Sequence, residues 1–463
     1  MSKFISLIKN TGILFIAKVS SQLVSFLLLP FYTSLLSTAE YGRIDIYTTL
    51  QMIVVPLLTL QIEMGLFRYL IITEDEKEKK TIISSGISVF ILISVVVGLL
   101  FVCISQIVHI EYWQFLFFYY ISISCSAILL QISRAFGDNK GYGLGSFIIT
   151  SLSMILNVIF IGVFHYKIEG FLLASIIAQV VCCVFLSVRL KIFGYLDLSA
   201  VTKKDRIRLI KYSYPLIFNQ VASWMINYSN RIIIVLFWGE SYNGIFSAAS
   251  KFSNITNTFF SVINLAWTEN VVRYIGDKND SYISNVFEII FSFYLFIVTA
   301  IVNLVPLVFS LLIKKDFVSA YPQVPVLLVS MLFSGMAATV GSIYIASDKT
   351  KNVSITTIAS GIVNVLVHFA LIKNFHLFAA SISTLVAFVF LFLYRLYKLK
   401  DFYSLRFSKN YIIIQFFILV LSCVLFYFKN KYMCLVGFTI NVAFVCIYFY
   451  KKIINIRTIL DGT

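Results

Sequence analysis

Charge is scarce in this sequence. Asp, Glu, Lys and Arg make up 13% of the 463 residues, and Asp and Glu supply only 21 of them. An ordinary soluble domain is nearer about a quarter charged. No Gly-Lys dipeptide occurs, which excludes a Walker A loop and an ATPase of the chain's own. No Asp-x-Asp triplet is present to hold a metal-bound nucleotide sugar. The four histidines (His109, His165, His368, His376) do not cluster. The seven cysteines (Cys103, Cys125, Cys182, Cys183, Cys423, Cys434, Cys446) all fall in apolar runs without metal-ligand spacing. They read as small apolar residues, and adjacent Cys182 and Cys183 make poor disulfide partners. Neither a metal nor a disulfide is expected. No segment between apolar runs exceeds about 23 residues, so no soluble domain is expected.

What the sequence has instead is apolar length. Hydrophobic residues are 60% of the chain and fall into fourteen runs. Each is long enough to cross a hydrocarbon core of about 30 Å as a helix, the economical way to satisfy backbone polar groups in lipid. The expected fold is all-α and polytopic, with about fourteen transmembrane helices. The runs divide the chain into an N-lobe (1–190, six spans), a basic cytoplasmic linker (191–211), a C-lobe (212–398, six spans), a second linker (399–410), and two extra spans with a tail (411–463). The first run follows two lysines but is too long for a cleaved leader, so it is read as a retained span.

The net charge of +16 is a topology signal. Of the 37 Lys and Arg, 27 lie in the set of loops that contains both termini and 7 in the other set. By the positive-inside rule both termini are cytoplasmic. The basic surplus also suits anionic lipid heads, and nucleic acid is not an expected partner.

A weak internal repeat runs through the chain. Leu7-Ile8-Lys9 matches Leu209-Ile210-Lys211, Gly42 matches Gly244, Asn157-Val158 matches Asn364-Val365, Ala174-Ser175 matches Ala380-Ser381, and Arg189-Leu190 matches Arg395-Leu396. The offsets stay between 202 and 207. Repeating six spans preserves orientation, which implies a parallel repeat about an axis along the membrane normal, a known transporter plan.

The three remaining cations, Lys18, Arg231 and Lys251, lie inside spans. A charge at the bilayer centre costs about 2.5–3.5 kcal/mol on insertion scales and usually faces protein or water. Lys18 shares a face with Gln22, and Glu63 on the next span lies at similar depth. Two readings stay open: an ion pair between Lys18 and Glu63, or a Lys18 facing a cavity and an anionic substrate, with Glu63 the one plausible coupling carboxylate. Span seven carries Asn219, Ser223, Asn227 and Asn230 as a stripe, with Arg231 beside it. Span eight carries Ser250, Asn254, Asn257, Ser261, Asn264 and Thr268 at spacings of four and three. Small polar groups can serve helix–helix hydrogen bonding alone, but a stripe of this length favours a water-lined cavity. For Arg231 and Lys251, snorkelling to the outer headgroups is the competing reading. In span eleven Ser360, Asn364 and His368 share a face. Glu288 is expected at the membrane interface. A basic polar cavity suits a phosphate or pyrophosphate carrying sugars, and the substrate-binding candidates are Lys18, Gln22, Asn219, Ser223, Asn227, Arg231, Lys251, Asn254, Asn257 and Ser261.

The segment from Lys9-Asn10 through Gln22, then Phe26-Leu27-Leu28-Leu29-Pro30, Thr33, Leu36-Ser37 and Glu40-Tyr41-Gly42, resembles the N-terminus of the Wzx-type polysaccharide-biosynthesis flippases. Pro56, Gln61-Ile62-Glu63 and Phe67-Arg68-Tyr69 continue the likeness. The resemblance implies the superfamily of MATE multidrug exporters and lipid II flippases, with two six-helix lobes arranged as a V and a cationic central cavity. It implies a flippase that moves undecaprenyl-pyrophosphate-linked oligosaccharide to the outer leaflet of a bacterial cytoplasmic membrane by alternating access. The product would serve O-antigen, capsule or exopolysaccharide synthesis, with a polymerase and chain-length regulator as partners. It implies no cofactor beyond an H+ or Na+ gradient, and a transporter rather than an enzyme. A cation-coupled drug antiporter on the same fold is the alternative, but span one carries a lysine where cationic cargo would call for carboxylates. A membrane polysaccharide polymerase would be expected to have a large outer loop.

Overall fold

The computed structural model describes residues 26–460, apart from 109–110, 198, 200, 276–279, 402, 404 and 406–408. Lys18, Gln22 and most of the first apolar run lie outside the described residues. Those described form fifteen α-helices: α1 (Leu29–Leu35), α2 (Thr38–Thr59), α3 (Ile62–Ile72), α4 (Glu76–Val108), α5 (Trp113–Ala135), α6 (Asn139–Asn157), α7 (Lys167–Arg189), α8 (Lys203–Trp238), α9 (Glu240–Tyr274), α10 (Asp280–Leu312), α11 (Val324–Ala346), α12 (Thr350–Phe375), α13 (Leu377–Leu399), α14 (Lys409–Tyr427) and α15 (Lys431–Leu460). A π-helical turn, Val158–Val163, prolongs α6.

Among the described residues ten helices are long and apolar enough to cross a membrane, and α2 with α3, bent by 55°, makes up to eleven if the pair is one span. This is a multi-pass membrane protein. The long helices α8 and α9, of 36 and 35 residues, fall outside that group because their polar stripes dilute every apolar window. At 1.5 Å per residue each runs about 50 Å, well beyond a bilayer core.

Span two is thus a broken helix. A capping box starts α2: Ser37 Oγ accepts from the Glu40 amide at 3.2 Å, and the Glu40 carboxylate accepts from the Ser37 amide at 2.8 Å. Leu60 and Gln61, both in the left-handed region (φ 48° and 57°), then turn the chain. The Gln61 amide, lost to the helix ladder, donates to Thr59 Oγ1 at 3.1 Å. Glu63 falls in the first turn of α3, where a carboxylate suits the helix dipole.

The chain forms two compact units. One holds Leu35–Trp224; the other holds Met225 onward together with Leu29–Ser34, so the boundary falls within α8. In the segment read as a basic linker, Ile192–Tyr195 is a 3-10 turn and Lys203 already begins α8. In the first unit α5, α6 and α7 pack on one another, and α5 also packs on α2, α3 and α4. In the second, α11, α12 and α13 form the corresponding trio, and α11 packs on α9 and α10. The pattern of contacts repeats as the weak sequence matches do. Helices α14 and α15 pack on α10 and on each other.

The repeated Arg-Leu pair brings an arginine to the same place in each trio. Arg189 on α7 grips Asp138, the N-cap of α6, through Nε at 2.6 Å and Nη2 at 2.8 Å. That guanidinium holds the Asp138 carboxyl below the usual aspartate range, against the opposing effect of desolvation. Arg395 on α13 is buried and donates instead to neutral oxygens: Ala337 O on α11 at 2.7 Å, and Val353 O, Thr356 Oγ1 and Thr357 Oγ1 on α12 at 3.2, 3.0 and 3.0 Å.

A glycine permits one of the close approaches in the second unit. A Cβ on Gly335 would lie 2.7 Å from the Phe260 ring and 2.9 Å from the Tyr294 ring, which stack on each other at 4.0 Å. Neither ring can retreat without parting from the other. Gly335→Ala is expected to cost about 1–3 kcal/mol, read as a lower Tm of the detergent-purified protein; an unchanged Tm would contradict this packing. Glu288 is buried, and its carboxylate accepts from Tyr448 Oη on α15 at 2.9 Å.

Candidate functional site

Four helices of the second unit enclose a polar cavity of about 160 Å³. From α8 come Asn227, Tyr228, Asn230 and Arg231; from α9 come Phe246, Ser250, Ser253, Asn254 and Asn257. Leu327 and Met331 of α11 and Thr384 and Phe388 of α13 complete the lining. None of the lining residues is acidic.

Arg231 is the cation of this cavity and is 5% exposed. One helical turn separates it from Asn227, whose carbonyl accepts from Arg231 Nη1 at 3.2 Å. Its guanidinium carbon lies 5.2 Å from the Tyr228 ring centroid and 5.8 Å from that of Phe246. Aromatic faces favour a cation without neutralising it. A guanidinium offers five N–H donors in a planar fork that matches a carboxylate or phosphate. The arrangement suits an anion with hydroxyl-bearing groups attached.

Asn230, at the wall of the cavity, ties α8 to α12 and α13. Its Nδ2 donates to Thr384 Oγ1 at 2.7 Å and to Ala380 O at 3.2 Å, while its Oδ1 meets His368 Nδ1 at 2.8 Å. One turn earlier on α12, Asn364 Nδ2 donates to Ile226 O at 3.3 Å and to Ser229 Oγ at 3.4 Å. These bonds fix the rotation of α8 about its axis, and so the direction in which Arg231 points.

The polar stripe of α9 divides. Its N-terminal half, Ser250, Asn254 and Asn257, lines the cavity. In its C-terminal half Thr268 Oγ1 and Ser342 Oγ lie 2.7 Å apart, and Ser342 also donates to Asn264 Oδ1 at 3.2 Å. Ser261 is not in the lining, and its hydroxyl donates to Thr258 O on its own helix at 2.8 Å. Lys251, half-buried, follows Ser250 but is not in the lining either. Asn219 and Ser223 precede Met225 on α8 and belong to the first unit. Asn227, Arg231, Asn254 and Asn257 are the substrate-binding candidates the structure gathers around one space. Ser253, Thr384 and the aromatic rings were not singled out from sequence; Thr384 stands one turn from Ala380, inside the repeated Ala-Ser match, the one signal that pointed there.

Glu63 is 7% exposed, and its Oε2 has no hydrogen-bond partner among the described residues. Its pairing with Lys18 lies outside them.

Comparison with known proteins places the chain. The family model described as polysaccharide biosynthesis protein matches residues 7–268. The chain belongs to the polysaccharide biosynthesis protein family. Its fold is shared with the lipid II flippase MurJ in an inward closed conformation, at a TM-score of 0.73 and 18% identity over 96% of this chain and 100% of that one. A multidrug resistance MATE family transporter of the MOP superfamily, inward-facing, matches at 0.68 and 14% over 84% and 98%. A MOP superfamily transporter from Pyrococcus furiosus matches at 0.58 and 15% over 85% and 96%. At such identities the likeness is one of fold. No curated protein matches the sequence. The family match ends at Thr268, within α9, so it includes most of the polar stripes of α8 and α9.

Proposed function

We propose that this member of the polysaccharide biosynthesis family is a flippase for undecaprenyl-pyrophosphate-linked oligosaccharide. It moves the repeat unit from the cytoplasmic to the outer leaflet of a bacterial cytoplasmic membrane by alternating access, for O-antigen, capsule or exopolysaccharide synthesis. Both termini face the cytoplasm. The observation that carries this reading is the cavity around Arg231: a lining of one guanidinium, amides, hydroxyls and aromatic rings, with no acidic residue among them, inside a membrane-embedded unit. Burial removes the competition of water and strengthens the pull of a cation on an anionic headgroup. Amides and hydroxyls suit sugar hydroxyls, and the aromatic walls suit their apolar faces. Family membership and the MurJ-like fold support the same reading.

Lys18 and Gln22 are proposed as the cytoplasmic part of the same path, with Asn219, Ser223, Lys251 and Ser261 alongside. The chain does no covalent chemistry on its cargo, so a polymerase and a chain-length regulator are the expected partners. A proton or sodium gradient drives the cycle, with Glu63 as one coupling candidate. An antiporter of cationic drugs is disfavoured because the lining offers such cargo an arginine and no carboxylate.

Depletion of the protein in its host tests the reading. Lipid-linked repeat units are expected to accumulate on the cytoplasmic face while surface glycan falls. Normal surface glycan with raised sensitivity to cationic drugs would overturn it in favour of the antiporter.

A further inference from the structure

Two apolar grooves run along the first unit and meet on α5. The larger, about 720 Å³, lies between α4 and α5, with Val95, Leu99 and Val102 on one side and Trp113 and Phe117 on the other. The smaller, about 330 Å³, lies between α5 and α7. Cys125 lines it with Val180, Cys183, Val184 and Val188, and Phe193 closes it just beyond the helix. Phe118 and Ile121 line both grooves, so the two form one track. No charged residue lines either groove. Val95, Leu99, Phe118, Val184 and Val188 are more than half exposed, so the track opens toward the bilayer.

The track is long enough to cross the membrane. Along α4 it runs from Phe90 to Val102, and along α7 from Ile176 to Val188, about 18 Å each at 1.5 Å per residue. Phe90 is about 21 Å from the start of α4, and Ile176 is about 20 Å from the end of α7. With the termini in the cytoplasm, those two helix ends lie on the same side of the bilayer. One groove therefore begins at the depth where the other ends, and together they exceed a hydrocarbon core of about 30 Å. A phospholipid tail covers one leaflet, about half of that core. A polyprenyl chain is much longer and reaches through both. A helix is about 10–12 Å across, too broad for the grooves. Their volumes, spread over this length, leave the width of a single hydrocarbon chain.

The two mouths of the track differ in charge. At the outer mouth Arg43 is paired with Glu111, two residues before Trp113. At the cytoplasmic mouth Lys191 falls between Val188 and Phe193 in sequence. Its φ of 50° turns the chain there. Lys191 is exposed and makes no ion pair among the described residues, whereas the neighbouring Arg189 is held by Asp138. The track thus complements a lipid with an anionic head at the cytoplasmic face and a tail longer than one leaflet. We propose that it is a docking site for a polyprenyl-pyrophosphate lipid. The pyrophosphate lies at Lys191, and the chain crosses α5 from the inner groove into the outer one. Held by its tail, the cargo keeps its glycan in the cytoplasm before translocation. This inference rests on the reading of the cargo as polyprenyl-linked and of the termini as cytoplasmic.

The test is native mass spectrometry of the full chain, purified in detergent, with undecaprenyl pyrophosphate, farnesyl pyrophosphate and phosphatidylglycerol. It is done in the Arg231→Gln background, which removes the polar cavity as a competing site for the head. Undecaprenyl pyrophosphate is expected to bind most tightly. Lys191→Gln should weaken it about fivefold, the worth of one lysine at a membrane surface. Val184→Trp fills the inner groove and should weaken both pyrophosphates at least about tenfold, as buried methylenes are lost. Leu99→Trp fills the outer groove. It should weaken undecaprenyl pyrophosphate by a similar factor and leave farnesyl pyrophosphate, too short to reach it, unchanged. Both positions are exposed and the substitutions stay apolar, so the fold is kept. If phosphatidylglycerol binds as tightly as undecaprenyl pyrophosphate, or neither Trp substitution weakens binding, the track is ordinary lipid-facing surface. The proposal is then overturned and the flippase reading stands. The same holds if undecaprenyl pyrophosphate binds the native sequence but not the Arg231→Gln chain. If the native sequence binds no polyprenyl pyrophosphate at all, the flippase reading falls and the track with it.

Discussion

Arg231→Gln is expected to lower export of the lipid-linked glycan by about 10- to 100-fold. A hydrogen bond from a charged donor contributes about 1.5–3 kcal/mol, and the cavity lining has no other cation to replace it. The substitution removes charge and keeps length, so it isolates electrostatics. Arg231→Lys should retain part of the activity, because charge survives while the planar fork and its fit between Tyr228 and Phe246 do not. For Arg231→Gln the desolvation cost removed with the charge offsets part of the hydrogen bonding lost, so the change in Tm is expected to be small. The measurement is surface glycan and inner-leaflet lipid-linked intermediate, read beside Tm. Full export with Arg231→Gln would remove Arg231 from the mechanism.

The opposite signature is expected at the neighbouring residue. Asn230→Leu has a similar shape and no polar atoms. It would leave His368 Nδ1 without its hydrogen-bond partner and Thr384 Oγ1 without its donor. Each buried orphan costs about 1–3 kcal/mol, so stability should fall by about 2–6 kcal/mol. Export should fall as well, because the bonds that set the rotation of α8, and with it the aim of Arg231, are lost. Two adjacent residues thus separate by readout: Arg231→Gln costs transport with little change in Tm, and Asn230→Leu costs both. Equal Tm for the two variants would mean that Asn230 does not brace the site.

The helices and their repeat were legible in the sequence because lipid demands long apolar runs and the packing of six spans recurs. Arg189 and Arg395 illustrate the repeat. A match of two residues marked equivalent positions, although one arginine meets a carboxylate and the other only neutral oxygens. Asn227 with Arg231, and Ser250 with Asn254 and Asn257, were legible as helical stripes that the structure turns toward one space. The use of each stripe member was not legible. Asn264 and Thr268 continue the same face but are taken up by Ser342, 74 residues beyond Thr268, a partner that spacing cannot reveal. Asn230 sits three residues from Asn227 and lines the same cavity, yet its amide is taken up by Thr384, Ala380 and His368, partners on other helices. The break at Leu60–Gln61 was hidden for a different reason. Neither residue is glycine or proline, and Pro56 lies inside α2 rather than at the turn.

The central claim is that this chain carries an anionic lipid-linked glycan across the bilayer. Purified protein in proteoliposomes loaded with undecaprenyl-pyrophosphate-linked oligosaccharide tests it most directly, with a glycan-cleaving enzyme outside as the readout. If the account holds, the protein raises the fraction of glycan reached from outside as protected inner-leaflet lipid crosses, and Arg231→Gln abolishes the gain. A protected fraction that stays the same with and without the protein, under an imposed proton or sodium gradient, would contradict it.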